Sequence, residues 1–167
     1  EPSLVVRLPA RGVSRAVSAT RALGTRAKFG ARLDGVHVML IEDDPDALDF
    51  LSLVLAQTGA VLSAFSLTGP AFDFIASSSR SPDVLISDIA MPVGDGYSFV
   101  RGTEHVLGAT SAAAHARIPI PAIAVSAFAR EEDAQRAIAS GFDRHVAKPV
   151  DTARLLDLVA SFISPRH

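Results

Sequence analysis

The chain has 167 residues, 49% of them hydrophobic, which is enough for one packed domain with an extension. Its formal net charge of −2 gives no indication of a nucleic-acid or anionic-membrane partner. The absence of cysteine excludes disulfides, zinc–thiolate sites and a thiol nucleophile. No stretch approaches the roughly 18 to 20 apolar residues of a membrane span, and no signal-peptide core is present, so we expect a soluble, cytoplasmic protein.

The first part of the chain differs in charge from the rest. Residues 1–35 carry seven Arg or Lys and two Asp or Glu, whereas residues 36–167 carry nine and sixteen. The basic part has little regular apolar pattern, and we predict a linker or arm over residues 1–34. Spaced arginines are typical of a solvated linker, so we expect no nucleic-acid binding. The chain does not begin with Met, and we expect it to be a piece of a longer protein.

Five apolar runs alternate with five helical patterns from Val36 onward. The first run, VHVMLI, precedes a helix that Asp44 can cap, with Pro45 at its first position and Gly59 after its last turn. Such alternation predicts a parallel sheet with helices on both faces, a three-layer doubly wound α/β fold. The other strands are AVLSAF, DVLIS, IPAIAVSA and RHVA, and the other helices are TGPAFDFIASS, YSFVRGTEHVL, REEDAQRAIASG and DTARLLDLVASFI.

Polar residues fall at the carboxyl ends of the predicted strands, where ligands bind in such folds. Converging carboxylates repel one another, and Mg²⁺, which prefers oxygen ligands, removes that conflict. A metal, an ammonium and a hydroxyl together suit a phosphoryl group, and a carboxylate can be its covalent acceptor. The residues alone therefore suggest aspartyl phosphorylation with Mg²⁺. The polar set is Glu42, Asp43, Asp44, Asp88, Ser126 and Lys148.

Four segments in this set resemble the signature blocks of a known family. LIEDDPDAL, SDIAMPVGDG, IAVSA and HVAKP are similar, in order and strand context, to the blocks of the response-regulator receiver domain of two-component signalling. The resemblance covers residues 35–164, which we predict to be the receiver domain. It implies a flavodoxin-like five-stranded parallel sheet with strand order 2-1-3-4-5.

The resemblance also implies roles for single residues. Asp88 would be the phospho-acceptor, and Glu42 and Asp43 the acidic pair that binds Mg²⁺. Asp88 itself and the carbonyl of Ala90 would be further metal ligands. The implied activity is a switch and not a turnover enzyme on an external substrate.

Two residues would contact the phosphoryl group by the same resemblance. Ser126 would supply the hydroxyl and Lys148 the ammonium, and the Lys148–Pro149 bond would be cis. The implied partners are a histidine-kinase domain, a histidine phosphotransferase protein or both, and a homodimer is open. We expect no membrane contact from this chain.

The chain departs from the family pattern at three positions. Glu42 stands where Asp is common, and Ser126 stands where Thr is commoner. His145 stands three residues before the lysine, where Tyr or Phe is usual and swings inward as the hydroxyl moves toward phosphate. A histidine could still switch there, and it adds sensitivity to pH.

The resemblance extends weakly beyond the receiver. SLVVRLPA is similar to the last strand of a histidine-kinase ATPase domain, and residues 120–150 are similar to receivers of hybrid kinases. We therefore expect the C-terminal receiver of a hybrid sensor histidine kinase.

Several polar residues have simpler explanations. We expect Asp44 to act only as a helix cap, and we expect Asp95 to cap the next helix while Gly96 supplies backbone freedom. We predict that His37, His105 and His115 are surface or edge residues, because no spacing among them suggests a metal site.

Two other functions remain open from the residues. A Mg²⁺-dependent phosphatase or phosphotransferase can have the same sandwich and an aspartate nucleophile, but it commonly has an acid two positions later, where this chain has Ala90. A degenerate receiver would act only by docking, and the filled acidic, hydroxyl and lysine positions argue against it. In the family that the chain resembles, the side chains two positions after the acceptor and two after the hydroxyl residue influence attacking water. Here they are Ala90 and Phe128, neither of which can orient water, so we predict a long-lived phospho-Asp88.

Overall fold

The computed structural model describes residues 31–92, 94–109, 120–127 and 130–163, without the side chains of 104–109. The described residues form five strands and five helices that alternate along the chain. The strands are β1 (His37–Ile41), β2 (Val61–Phe65), β3 (Val84–Asp88), β4 (Ala122–Ser126) and β5 (Arg144–Ala147). The helices are α1 (Pro45–Gln57), α2 (Thr68–Ser77), α3 (Gly96–Ala109), α4 (Glu131–Ala139) and α5 (Thr152–Ile163).

The strands form one parallel sheet in the order β2-β1-β3-β4-β5. The predicted three-layer fold and strand order are therefore confirmed. The predicted bounds differ from the observed ones by no more than two residues at any end, which is the usual uncertainty of element ends.

Two apolar clusters cover the two faces of the sheet. One contains α1 and α5 residues such as Leu55 and Leu155, and the other contains α2, α3 and α4 residues such as Ile75, Phe99 and Ala137. The central strands β1, β3 and β4 are buried throughout, which explains why their sequences are apolar runs without alternation. Three buried polar residues, Glu42, Asp88 and Ser126, lie at the carboxyl edge of the sheet.

The ordered fold extends upstream of the first strand. Leu33 is 1% exposed and belongs to the cluster under α1 and α5, and its N–H donates to the carbonyl of Thr58 at 2.9 Å. Residues 1–30, most of the predicted linker or arm, lie outside the described residues, as do His115 and Phe128. Within the described part of the chain, no helix is both long and apolar enough to cross a membrane.

Candidate functional site at the carboxyl edge of the sheet

The pairing register places four polar residues next to one another. Asp88 ends β3 and pairs with Val125 of β4, and Ser126 pairs with Ala147 of β5. Glu42 directly follows β1, whose last residue pairs with Ser87. Since β1, β3, β4 and β5 are consecutive in the sheet, their ends bring Glu42, Asp88, Ser126 and Lys148 to one edge.

Asp88 is buried, with an exposed fraction of 5%, and both of its carboxylate oxygens accept hydrogen bonds. Oδ1 accepts from the backbone N–H of Ala90 at 2.8 Å, and Oδ2 accepts from Nζ of Lys148 at 2.6 Å. The N–H of the following turn and the lysine, which is distant in sequence, therefore fix the orientation of this carboxylate at the strand end.

Glu42 is the most deeply buried carboxylate of the site, with an exposed fraction of 1%. Its Oε1 accepts from Nζ of Lys148 at 3.1 Å and from the backbone N–H of Asp44 at 3.2 Å. Its Oε2 lies 2.9 Å from the same Nζ but accepts no hydrogen bond of good geometry. Burial raises the pKa of Glu42, the negative charge of Asp88 raises it further, and the hydrogen bond from Lys148 acts in the opposite direction.

Lys148 follows β5 and bridges the two buried carboxylates. Burial by itself would lower its pKa, but the hydrogen bonds to Asp88 and Glu42 together outweigh burial and raise the pKa. The lysine is therefore firmly cationic at neutral pH. Its backbone N–H donates to the carbonyl of Ser126 at 2.7 Å, and the Lys148–Pro149 bond is cis, as the resemblance implied.

An acidic cluster with the spacing of a metal site lies at this edge. Glu42, Asp43 and Asp88 each offer one carboxylate oxygen, and these atoms lie within 4.8 Å of one another. The set consists of hard oxygen donors, and the Oε2 atom of Glu42 is buried without a hydrogen bond, so the residues present fit a divalent cation. Asp44 does not belong to this cluster. Its Oδ1 accepts from the N–H of Ala47 at 2.8 Å and caps α1, as predicted.

Ser126 and His145 form a hydrogen bond at the same edge. Ser126 Oγ lies 2.9 Å from His145 Nε2, and Ser126 is fully buried, whereas His145 is half-buried in the outermost strand. Burial lowers the pKa of His145; Asp133 raises this pKa and Arg154 lowers it. A hydrogen bond thus joins the serine of β4 to the histidine of β5.

The loop after β3 shows why its glycines are needed. Asp95 Oδ1 accepts from the N–H of Ser98 at 2.6 Å, so the predicted cap on α3 is confirmed. The prediction for Gly96 is wrong, because the positive φ of this loop belongs to Gly94, at 75°. A Cβ on Gly96 would stand 2.5 Å from the carbonyl oxygen of Asp88, so glycine allows the start of α3 to approach the end of β3.

The prediction that His37 is a surface or edge residue is also wrong. His37 begins the central strand β1, is 7% exposed, and its Nε2 lies 2.9 Å from Ser63 Oγ. The ring packs edge-on against Phe74 at a centroid distance of 6.0 Å. A histidine with these contacts is a buried, hydrogen-bonded core residue at the start of β1, at the opposite end of that strand from Glu42.

The sequence located most of the candidate site but missed two contacts. The bridge from Lys148 to Glu42 and the bond from Ser126 to His145 were not predicted. The second contact could have been inferred from the register, because in parallel strands His145 is a diagonal neighbour of Ser126 on the same face. The first contact depends on side-chain rotamers, for which the sequence carries no signal.

Fold and site together define a class of protein: a doubly wound α/β domain with a buried aspartate at the end of its third strand and acidic, hydroxyl and ammonium groups beside it. The sequence profile of the response regulator receiver domain matches residues 38–160. The chain belongs to this family of two-component signalling domains.

Two curated proteins are similar to this chain over most of its length. An uncharacterized 14.6 kDa protein in the sodA1 3′ region of Leptolyngbya boryana is 36% identical over 128 residues, which are 76% of this chain and 89% of that protein. Hybrid signal transduction histidine kinase D of Dictyostelium discoideum is 32% identical over 133 residues. That match covers 78% of this chain but only 8% of the kinase, so the similarity reaches one domain of a much longer protein.

Solved structures show the same fold. A response regulator from Chloroflexus aurantiacus has a TM-score of 0.66 and 22% identity, covering 79% of this chain and all of that chain. The receiver domain of sensor histidine kinase PA1611 from Pseudomonas aeruginosa has a TM-score of 0.62 and 24% identity, covering 78% of this chain and 99% of that one. That structure contains a magnesium ion coordinated in its active-site cleft.

Proposed function

We propose that Asp88 accepts a phosphoryl group in a Mg²⁺-dependent reaction and that phosphorylation switches the signalling surface of the domain. The observation that carries this proposal is the pair of hydrogen bonds on the Asp88 carboxylate, from Lys148 Nζ at 2.6 Å and from the Ala90 N–H at 2.8 Å. They hold a buried nucleophile beside a cation at the edge where ligands of doubly wound folds bind.

The donor in this proposal is a phosphohistidine of a kinase domain or of a histidine phosphotransferase protein. An Asp88 oxygen forms a bond to phosphorus, the nitrogen–phosphorus bond breaks, and its electron pair stays on the histidine nitrogen, which takes up a proton. Lys148 places its ammonium beside the oxygens of the transferred group, and Ser126 offers a hydroxyl to one of them. No external substrate is turned over.

Glu42, Asp43 and Asp88 would hold the Mg²⁺ ion, with the carbonyl of Ala90 as a further ligand. The bound ion would supply positive charge next to the phosphoryl oxygens. The spacing of the three carboxylates and the buried Oε2 atom of Glu42 support this assignment. The magnesium in the cleft of the Pseudomonas aeruginosa receiver is consistent with it.

The parent protein in this proposal is a hybrid histidine kinase, acting in the cytoplasm where ATP supplies the phosphoryl group. The relative from Dictyostelium discoideum supports this origin, because it is a hybrid signal transduction histidine kinase of which this chain matches one part. We propose no nucleic-acid contact, since acidic residues outnumber basic ones after residue 35. We also propose that this receiver domain lies at the C-terminus of the parent protein.

The test is incubation with Mg²⁺ and a small acyl phosphate, followed by intact-protein mass spectrometry. We expect a mass increment of one phosphoryl group that depends on Mg²⁺ and is abolished by Asp88→Asn. Asp49→Asn is the matched control, because Asp49 is exposed on α1 and should leave the increment unchanged. Multiple turnover of the donor would instead support a phosphatase, and the absence of any modification would support a docking receiver.

A further inference from the structure

The contact between Ser126 and His145 suggests a role that an aromatic carbocycle at the same position could not fill. The strand register sets the contact: Ser126 pairs with Ala147, so His145, two residues earlier on β5, lies diagonally across from Ser126 on the same face. Nε2 lies 2.9 Å from Oγ, which is hydrogen-bonding distance. The ring nitrogen is therefore hydrogen-bonded to the hydroxyl at the carboxyl edge of the sheet.

The direction of this hydrogen bond depends on where the imidazole carries its proton. An unprotonated Nε2 accepts the single hydrogen of the Ser126 hydroxyl and so turns it away from the neighbouring strand that carries Asp88. A protonated Nε2 donates to Oγ instead, and the hydroxyl then donates its own hydrogen to an oxygen acceptor. An imidazolium ring always donates from Nε2, because both of its nitrogens carry hydrogen.

We propose that His145 is a positioning residue for the phosphorylated state: with a proton on Nε2 it donates to Ser126 Oγ and directs the serine hydroxyl hydrogen toward the phosphoryl group on Asp88. This inference rests on the proposed phosphorylation of Asp88. The two hydrogen bonds form a chain from β5 through β4 to β3, and hydrogen bonds arranged in this way polarise one another.

The charged groups around His145 set the starting state of the ring. Asp133 of α4 favours its protonated form, Arg154 of α5 opposes it, and burial opposes it most strongly. The pKa of His145 therefore lies below the ordinary histidine value, and the ring is mainly neutral at neutral pH. A phosphoryl group on Asp88 adds negative charge and an acceptor at the end of the chain, and both favour the protonated ring.

Thermodynamic linkage makes the coupling between His145 protonation and phosphoryl binding measurable. If protonation of His145 strengthens binding of a phosphoryl group, then binding of that group raises the pKa of His145 by the same coupling free energy. The affinity for a phosphoryl analogue should rise as pH falls through the pKa of the ring, because the protonated ring is the form that favours the occupied site. The coupling must pass through Ser126 Oγ.

The test uses beryllofluoride with Mg²⁺ as the phosphoryl analogue and follows the His145 ring by NMR. For the wild type we expect the ring pKa to rise when the analogue binds, and we expect affinity to increase about fivefold or more between pH about 7.5 and about 5.5. In Ser126→Ala the rise in the ring pKa should shrink. Any pH dependence that arises from the carboxylates is common to all variants.

Two substitutions of His145 separate positioning from packing. His145→Gln keeps an N–H donor without titrating, so it should bind with the low-pH affinity of the wild type, with a pH profile flatter than that of the wild type. His145→Phe keeps the ring volume without a donor, so it should bind more weakly with the same flattened profile. Binding with equal pH profiles in the wild type and His145→Phe, or a ring pKa that does not move, overturns the positioning role alone. No binding of the analogue to the wild type overturns the proposed function, and this inference with it.

Discussion

Replacing Lys148 by alanine tests the charge arrangement of the site most directly. The substitution removes the only ammonium among the described residues, and that ammonium lies 2.6 Å from Asp88 Oδ2 and 2.9 Å from Glu42 Oε2. The two carboxylates are 5% and 1% exposed, so without the lysine they become neighbouring buried charges of the same sign. We expect Lys148→Ala to lower the free energy of unfolding.

The size of the loss follows from burial. Removing one partner of a buried ion pair typically costs about 3–5 kcal/mol. Lys148 is 26% exposed, so water screens part of the interaction, and we expect a loss of about 2–4 kcal/mol. This is a large part of the roughly 5–15 kcal/mol that stabilises an ordinary domain.

Mg²⁺ should reverse much of this loss. The lysine ammonium and the ion are drawn to the same carboxylates, so we expect Mg²⁺ to bind Lys148→Ala about tenfold or more tightly than the wild type, which corresponds to about 1.4 kcal/mol of extra binding free energy. The measurement is urea unfolding with and without Mg²⁺. Arg101→Ala is the control, because Arg101 is exposed on α3 and its loss changes net charge equally.

Two results would refute this reasoning. A free energy of unfolding of Lys148→Ala within about 0.5 kcal/mol of that of Arg101→Ala would show that the buried carboxylates do not depend on the lysine. Equal stabilisation of the wild type and Lys148→Ala by Mg²⁺ would show that the lysine and the ion do not share ligands.

Three further perturbations test other parts of the site and fold. Gly96→Ala should lower stability by about 1–3 kcal/mol and slow phosphorylation, because a Cβ there meets the carbonyl oxygen of Asp88 at 2.5 Å; urea unfolding and phosphorylation rates measure both. Lowering the pH from about 7.5 to about 5.5 should destabilise the wild type more than His37→Gln, because burial lowers the pKa of His37 in the folded chain. The unfolded chain then binds a proton that the folded chain does not, so stability falls as pH falls through the ordinary histidine value of about 6.5. Phospho-Asp88 should be long-lived, and Ala90→Asn should shorten its lifetime, since the amide can orient an attacking water; the loss of the phosphoryl mass increment with time measures it.

Each of these predictions has a result that contradicts it. For the glycine, Gly69→Ala is the matched control, because a Cβ on Gly69 meets nothing within 4 Å, and equal stability of the two variants would remove the packing argument. For His37, an equal loss of stability on acidification in the wild type and in His37→Gln would show that protonation of the buried ring does not oppose folding. For the phosphoryl lifetime, decay of phospho-Asp88 within seconds at neutral pH, or an unchanged lifetime in both Ala90→Asn and Phe128→Glu, would contradict the prediction.

The fold was predictable because burial on both faces leaves little ambiguity in the strands. Runs such as VHVMLI and DVLIS alternate with capped helices, and a parallel sheet then forces all strand ends that carry Glu42, Asp88 and Ser126 to one edge. Side-chain contacts were less predictable. The buried ring of His37 has its hydrogen-bond partner in Ser63 of β2, which lies two residues beyond Val61, the residue that His37 pairs with. This partner can be identified only once the strand register is known.

The roles of Gly94 and Gly96 also show that composition predicts a turn but not which glycine the packing requires. Asp95-Gly96 has the composition of a turn, and that composition predicted backbone freedom at Gly96. The positive φ is instead at Gly94, whereas Gly96 is needed because the start of α3 lies against the backbone of Asp88 and Ile89. Which of two nearby glycines has which role depends on the distance between elements, and the sequence pattern does not contain that distance.

The polar contacts at the carboxyl edge connect all the strands that carry the site. Lys148 joins the ends of β1 and β3 through its side chain, and its backbone N–H joins β5 to the carbonyl of Ser126 at 2.7 Å. A phosphoryl group on Asp88 adds negative charge on one side of the ammonium, so the balance of its contacts with Asp88 and Glu42 must change. Because the same lysine is hydrogen-bonded through its backbone to Ser126, and Ser126 is hydrogen-bonded to His145, we expect a change at Asp88 to reach the outer strand β5 through these contacts.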